Sequence, residues 1–593
     1  MGYFVAAGSR RAGFAGAGRG SLAGLTRYPS PVPSGNRGPR LMDTQRLILF
    51  FVFSFSLLLL WDAWQKEQRP APQPATTAAK TPGAVPTPSP MVAPAPQPGA
   101  ASVPAAAAPS GAGERIRVQT DVLAAEIDTL GGSLRRVELL KHKDANDISK
   151  NFVLLQPERH YEAQSGLTGE AGPNHRSLWS AVPGERVLGQ GQPEIRLTLQ
   201  AQGRDGIGVE KTYVFKRNSY LVDVTLAVRN DGAAPATVHT YFQLTHDGKE
   251  VSTGNSVASS FGAQSFTGFA QFTAEHKYTK VQYSDIDKGK ADYVRQAPDG
   301  WLAYVQHYFV SAWVPAQGVA REFVIERRQD GSYAARVVLP AGILAPGAAS
   351  VVSVPLYVGP QEQRRLEAAD RNLPLVVDYG WLTVIAQPLF WLLEMLHGLS
   401  GNWGVAIILL TVLIKLVFFP LSAASYKSMA KMKLITPRLT KIRETYAHDR
   451  AKMNQAMMEL YKTEKINPLG GCFPILVQIP VFISLYWVLL AAIELRHAPF
   501  ILWIHDLSAL DPYYVLPVLM TITMVLQTRM NPTPPDPVQA KVMQFMPYVF
   551  SVFFFFFPAG LVLYWLVNNI LSILQQWQIQ RMFDRGRPAH AKR

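Results

Sequence analysis

Cysteine is all but missing from this chain of 593 residues: Cys472 is the only one. That excludes an intrachain disulfide and leaves the redox compartment unread. The sequence also lacks an HExxH pattern, a paired-acid motif in any short window and a phosphate-cradling glycine loop. Spacing therefore nominates no metal centre, hydrolytic pair or nucleotide site, and no cofactor is expected. Acids are missing from residues 1–41, which hold six arginines, and from every long apolar run after residue 400. The second absence bears on function. Carriers coupled to protons or cations place a carboxylate at membrane depth, so its absence weighs against that class.

What is present is strongly segregated. Hydrophobic residues make up 48% of the chain, with long apolar runs in the C-terminal third and a polar block in the middle. The length exceeds one ordinary domain. A net charge of +15 suggests nucleic acid or an acidic membrane surface as partner. Without residues 1–41 the charge is still +9, and most of it flanks apolar runs, which favours a topology signal.

Residues 1–41 read either as an organellar transit peptide or as an extension ahead of the true start, and Met42 is the favoured start. Leu47–Trp64, within 42–67, reads as an uncleaved first transmembrane anchor, its tryptophans suiting the interface. Residues 68–113 form a Pro/Ala-rich tether with no means of burying a core. From 114 to 372 the pattern is all-β. Ile116–Ile127, Ile195–Ala201, Lys211–Phe215, Tyr220–Val228, Thr237–Leu244, Leu302–Val310 and Ala334–Leu339 alternate or run β-rich between turn signals at Gly131-Gly132, Asn230–Gly232 and Asp330-Gly331. Short, closely spaced strands predict a sandwich, read as a binding or scaffold domain. An acid pair assembled in space stays open as a sugar-modifying alternative.

The C-terminal spans are Trp403–Leu421, Cys472–Ile493, Tyr513–Thr528, Val542–Ala559 and Gly560–Trp577. Loop Ser422–Gly471 carries ten Lys/Arg against four acids, and Arg581–Arg593 five against one. Positive-inside counting places both on the cytoplasmic side, which makes the apolar segment within 373–402 an interfacial helix on the opposite face. With the anchor, six transmembrane helices result, both termini are cytoplasmic, and the β domain lies outside. The loop itself reads as a helical hairpin broken at Pro437 and near Asp449. Met429, Met432, Met453, Met457 and Met458 give it either an adaptable client surface or ordinary helix packing. The basic tail suits lipid headgroups or ribosomal RNA.

Lys415 is the one charge in Trp403–Leu421, and a lysine at mid-helix costs about 2.5–3.5 kcal/mol to insert. It either snorkels to the nearer interface or serves as a buried functional charge. Thr411 lies one turn away on the same face. Gln478, Ser484, Thr521, Thr523, Ser551, Asn568, Asn569 and Ser572 add polar groups at membrane depth. Singly each could bond a neighbouring helix; with Lys415 they suggest a shared polar cavity attractive to an anion or an acidic peptide. Leu469–Cys472 mimics a lipoprotein box far from any N-terminal signal, and Phe553–Phe557 covers every face of a helix.

Several stretches carry a resemblance: MDTQR at 42–46, QSGLTG at 164–169, VDYGW at 377–381, GNWG at 401–404, SMAKM at 428–432, NPLGGCFP at 467–474, IHDLS at 504–508 and GLVLY at 560–564. Together they resemble the YidC/Oxa/Alb family of membrane insertases, in its Gram-negative form with a large periplasmic domain. The likeness runs from Met42 to the tail and is densest from Val377 onward. It implies a polytopic α-helical membrane protein whose last five spans form the insertase core. It also implies a periplasmic β-supersandwich similar to galactose mutarotases but without their activity. The implied function is insertion and folding of nascent membrane proteins in the inner membrane, alone or beside the Sec translocon. A hydrophilic groove would open to cytoplasm and lipid and close to the periplasm, without nucleotide or metal. The groove charge, usually arginine, falls on Lys415, which keeps the charge and loses the planar fork. Thr411 matches the neighbouring threonine, and Phe482 a client-contacting aromatic. Trp565 stands where tyrosine is usual. Gln478, Ser484 and Asn568 complete the expected groove, and Phe553 joins Phe482 as an apolar client contact. Implied partners are the Sec translocon, the ribosome through hairpin and tail, and membrane lipids. A polytopic solute transporter or channel is the competing reading.

Overall fold

The computed structural model describes residues 113–144, 147–169, 172–249, 266–379, 382–464, 473–531 and 537–585. They all fall within one compact unit, Ala78–Arg593. The extension 1–41, the anchor in 42–67, nearly all of the 68–113 tether, Cys472 and most of the basic tail lie outside the described residues.

Residues 115–360 form two nine-stranded sheets, antiparallel in every paired strand. Ala236–His246 and Tyr333–Leu344 pair at the middle of one sheet. Leu221–Asn230 and Ala349–Pro360 pair in the middle of the other. Leu221–Asn230 alternates buried and half-exposed residues along almost its whole length, as a strand with one face on the core requires. Trp301, Trp313, Phe242, Val224 and Leu226 fill the space between the sheets. Two of the expected strands are hairpins. Ile116–Ile127 turns between Gln119 and Leu123, and Leu302–Val310 turns between Val305 and Phe309. In each the turn is only three residues long, Thr120–Val122 and Gln306–Tyr308, and carries no glycine or proline to mark it, so composition alone joins what the chain folds back.

Lys211 is fully buried in this domain, and its ammonium donates to the carbonyls of Gly131, Gly132 and Ser165 at 3.2, 3.0 and 2.8 Å. It also sits 4.3 Å from the centre of the Trp179 ring. Burial pulls its pKa down to about 7. Gly131 and Gly132 both have positive φ, which aims their carbonyls at that ammonium. A sequence reader sees a lysine in a strand; the structure makes it the clasp of a turn.

The helical part contains α1 (Thr383–Ser400), α2 (Trp403–Val417), α3 (Phe419–Thr445), α4 (Arg450–Thr463), α5 (Phe473–Ala491), α6 (Val515–Met530), α7 (Pro537–Phe554) and α8 (Ala559–Arg585). The expected segment Trp403–Leu421 is not one continuous helix. α2 stops at Val417, and the chain turns by 66° into α3. Pro420 explains the stop, because it has no N–H for the i−4 carbonyl and its ring crowds that carbonyl. Among the described residues no single helix is long and apolar enough to cross a membrane; α2 and α3 pass that test only as a bent pair.

The hairpin expectation needs one correction. α3 runs through Pro437 without a break. Ile435 and Leu439 flank that proline and pack on Met432, Met457, Leu460 and Tyr461, which holds the turn together. The second break is present, and Asp449 caps α4 by accepting from Lys452 N–H at 3.0 Å. Met432 and Met457 are therefore interior to the hairpin, while Met458 is exposed. α1 buries Ala386, Phe390 and Leu393 and leaves Val384, Trp391, Met395 and Leu399 exposed along one stripe.

Candidate functional site: a lysine between helices and the connector above it

Lys415 occupies the last turn of α2, where the negative end of the helix dipole favours a cation. It is only 6% exposed. Its ammonium donates to Ser572 Oγ of α8 at 2.8 Å. Ser572 passes its own proton to Asn568 O at 2.7 Å, one turn back. Gln478 of α5 donates to Asn568 Oδ1 at 3.3 Å, and Gln575 reaches the Lys415 carbonyl at 3.5 Å. Among the described residues no carboxylate lies within ion-pair distance of Lys415. The lysine, Asn568 and Gln478 thus form one polar seam joining α2, α8 and α5.

Two expected groove residues behave differently. Thr411 is 2% exposed and donates to Ile407 O at 2.7 Å; Ser484 is fully buried and donates to Pro480 O at 2.7 Å. Each spends its proton on its own helix, which satisfies it without water. Ser572, one of the polar groups expected at membrane depth, is the direct partner of Lys415, and Gln575 is the partner that expectation lacked. Their signal was the Asn568, Ser572, Gln575 spacing, which puts them on one face of α8.

The structure brings two of the expected aromatic residues, Phe482 and Trp565, together. Phe482 stacks on Trp565 with centroids 5.6 Å apart and planes 11° apart. Phe554 and Phe557 meet Trp565 edge-on at 4.7 and 5.4 Å. Phe553 lies by Phe550 at 6.3 Å. The Trp565 indole N–H is buried and has no hydrogen-bond partner among the described residues.

Above this seam the connector between α5 and α6, residues 492–514, is fastened to three helix starts. Asn402 caps α2 by accepting from Val405 N–H, and its amide donates to Phe500 O at 3.0 Å. Ala559 and Gly560 at the start of α8 donate to Ala509 O and Leu507 O at 2.7 and 2.8 Å. Asp511, 2% exposed, accepts from Leu516 N–H of α6 at 2.7 Å, from Trp503 Nε1 at 2.9 Å and from Tyr513 N–H at 3.1 Å. The connector also touches the β domain, with the Arg496 guanidinium 5.5 and 5.3 Å from the Phe152 and Phe309 ring centres. Burial beside the Glu362 and Glu394 carboxylates raises Glu494, in this connector, to about 8.

Comparison with known proteins completes the assignment. A family described as the YidC periplasmic domain matches residues 115–392, and one described as 60Kd inner membrane protein matches residues 395–586. Membrane protein insertase YidC of Nitrosospira multiformis is 53% identical over 92% of this chain and 98% of its own length. That of Aromatoleum aromaticum is 52% identical with the same coverage. Among solved structures, an active YidC insertase with its first transmembrane domain resolved matches 78% of this chain and 91% of its own at 17% identity, TM-score 0.35. A galactose mutarotase related enzyme from Lactobacillus acidophilus matches 41% of this chain and 97% of its own at 10% identity, TM-score 0.28. On the sequence matches, which span both the sandwich and the helices, the chain belongs to the YidC family of membrane protein insertases.

Proposed function

We propose that this chain inserts nascent membrane proteins by offering their short polar segments a partner at membrane depth, with Lys415 as that partner. The observation that carries the reading is the Lys415–Ser572 contact. A cation that no carboxylate among the described residues neutralises, held by one hydroxyl, can exchange that hydroxyl for a client carboxylate or carbonyl. Gln478 and Asn568 supply further polar groups along the seam, while Thr411 and Ser484, satisfied within their helices, shape its wall. The client's apolar helix slides past Phe482, Trp565 and Phe553. The role of Lys415 is electrostatic and hydrating, and no bond chemistry is involved.

The basic hairpin and tail face the cytoplasm in this reading, with both termini there and the β domain in the periplasm. Six transmembrane helices, five of them in the core, follow from the same topology, and α1 lies in the outer interface with Val384, Trp391 and Leu399 toward lipid. The hairpin and tail are the surfaces offered to the ribosome and to acidic lipids. Cooperation with the Sec translocon and a folding-chaperone role rest on the family resemblance.

Photocrosslinking tests the reading. Probes at Phe482 and Trp565 should capture nascent membrane proteins well above a probe at Ile522, an exposed apolar position on α6. Equal capture at all three would overturn it.

A further inference from the structure

Along α2 the connector and the lysine seam are stacked in order. Gly404 lies under the Phe500 ring, so close that a Cβ there would fall 2.0 Å from a ring carbon. One turn on, Ile407 and Gly560 flank Leu507: a Cβ on Gly560 would be 3.0 Å from Leu507 O, 3.4 Å from Leu507 Cβ and 3.7 Å from Ile407 Cδ1. Leu507 is fully buried, and Ile493, Leu495 and Ile504 of the same connector are nearly so. Thr411 and Lys415 follow, the lysine about 12 Å along the axis from Ile407 at 1.5 Å per residue. Leu507 therefore packs between α2 and α8 near their starts, about two helical turns from the polar seam.

Besides the Asn402 amide on Phe500 O, the Asp511 side chain joins this plug to the bundle. Tyr514, the residue before α6, has a left-handed backbone and no capping side chain. Asp511 supplies the missing acceptor from three residues upstream, and its other oxygen holds Trp503 and Tyr513. His497, Leu502 and Tyr514 all have positive φ, a conformation that persists only when surroundings fix it. Asp506, five residues earlier in the same connector, accepts from Ser508 and pairs with His497 at 3.0 Å, and serves no helix start.

We infer that the connector 492–514 is the seal that closes the polar seam at this end, and that Asp511 is the positioning residue that keeps it shut. The inference rests on the proposed groove reading and adds which atoms close it. Loss of the Asp511 carboxylate frees the α6 start and the Trp503 anchor together, so Leu507 loses its fixed seat between α2 and α8. Water and small ions then reach the Lys415 level.

The test uses the full chain in sealed vesicles loaded with potassium and a pH-sensitive dye. Asp511→Ala should raise ion leak about tenfold or more, since losing a helix cap shifts a local equilibrium by roughly that factor. Asp506→Ala should leave the leak at the parental level. Asp511→Asn, equal in shape, and Trp503→Phe, which removes one donor, should leak to an intermediate degree and decide the matter if Asp511→Ala does not fold. Parental leak in folded Asp511→Ala, or in both milder variants, overturns the seal. A leak from Asp506→Ala equal to that from Asp511→Ala overturns the role of Asp511. Client capture at Phe482 in the parental chain is scored separately, so failure of the groove reading is distinguishable from failure of the seal.

Discussion

Gly404→Ala offers a calculable perturbation of the connector. The added methyl would lie 2.0, 2.4 and 2.8 Å from three atoms of the Phe500 ring, whereas carbon atoms rest about 3.5–4.0 Å apart. The ring must move by roughly 1.5 Å. It cannot swing away freely, because Phe500 N–H donates to Ile504 O at 2.9 Å and its carbonyl accepts from Asn402. Overpacking of this kind costs about 1–3 kcal/mol. Alanine returns at most about 1 kcal/mol of helix propensity, and less in a first turn. The net loss of about 1–2 kcal/mol corresponds to a 5- to 30-fold rise in local opening. Hydrogen exchange of segments 498–512 and 559–562, read by mass spectrometry, should accelerate by about that factor. Phe500→Ala added to Gly404→Ala should cost less than the sum of the two changes, since the clash vanishes with the ring. Unchanged or slower exchange in Gly404→Ala would refute the packing argument.

The other predictions concern charge. In an insertase-depleted strain, Lys415→Arg should support growth and Lys415→Glu should not, while Lys415→Ala should lower insertion about tenfold, the value of a hydrogen bond to a charged group; equal growth of all three would mean the lysine only snorkels. Glu494→Gln should stabilise the connector most above pH 8. The raised acid of the folded chain holds its proton where the unfolded chain has lost it, so stability falls as pH rises from about 4.5 toward 8; an exchange profile of the parental chain that is flat with pH would sink this. His142 and His246 are held near 4 and His175 near 3, each chiefly by burial, so the sandwich should lose stability as pH falls from about 6.5 to 4, seen as a falling melting midpoint of tryptophan emission. Lys211→Ala takes the ammonium from the Gly131, Gly132 and Ser165 carbonyls, of which Gly132 O keeps the Tyr213 hydroxyl, and opens space under Trp179, so it should cost about 3 kcal/mol in denaturant unfolding.

Sandwich and helices were legible because burial period writes itself into sequence: Leu221–Asn230 alternates, and most of α6, Val515–Leu526, is a largely apolar run. The hairpins inside Ile116–Ile127 and Leu302–Val310 were not legible, since both sides of each turn face the same core. Pro437 read as a break because the local penalty is visible in sequence and the compensating contacts of Ile435 and Leu439 with α4 are not. At the site, Lys415 stood out by its cost at membrane depth. Ser572 was visible as one polar group among several but not as the lysine's partner, and Gln575 was passed over, because a serine or glutamine in an apolar helix looks alike whether it bonds its own backbone or a lysine 157 residues away. Asp511 was hidden for a similar reason: it sits outside any span, in a loop where carboxylates are ordinary.

The bent junction at Phe418 and the shared cap at the opposite end of α2 together set how the bundle can move. α2, α6 and α8 are pinned at their starts by one strip of backbone, and the far end of α2 breaks at once into α3. Such an assembly cannot slide its helices past one another without tearing three caps. It can splay, like ribs held at a pivot. A tilt of about 10° about the pinned end carries the last turn of the 15-residue α2 sideways by roughly 4 Å, enough to part Lys415 from Ser572. The motion available to a client is therefore angular, and its lever arm is greatest where the lysine sits.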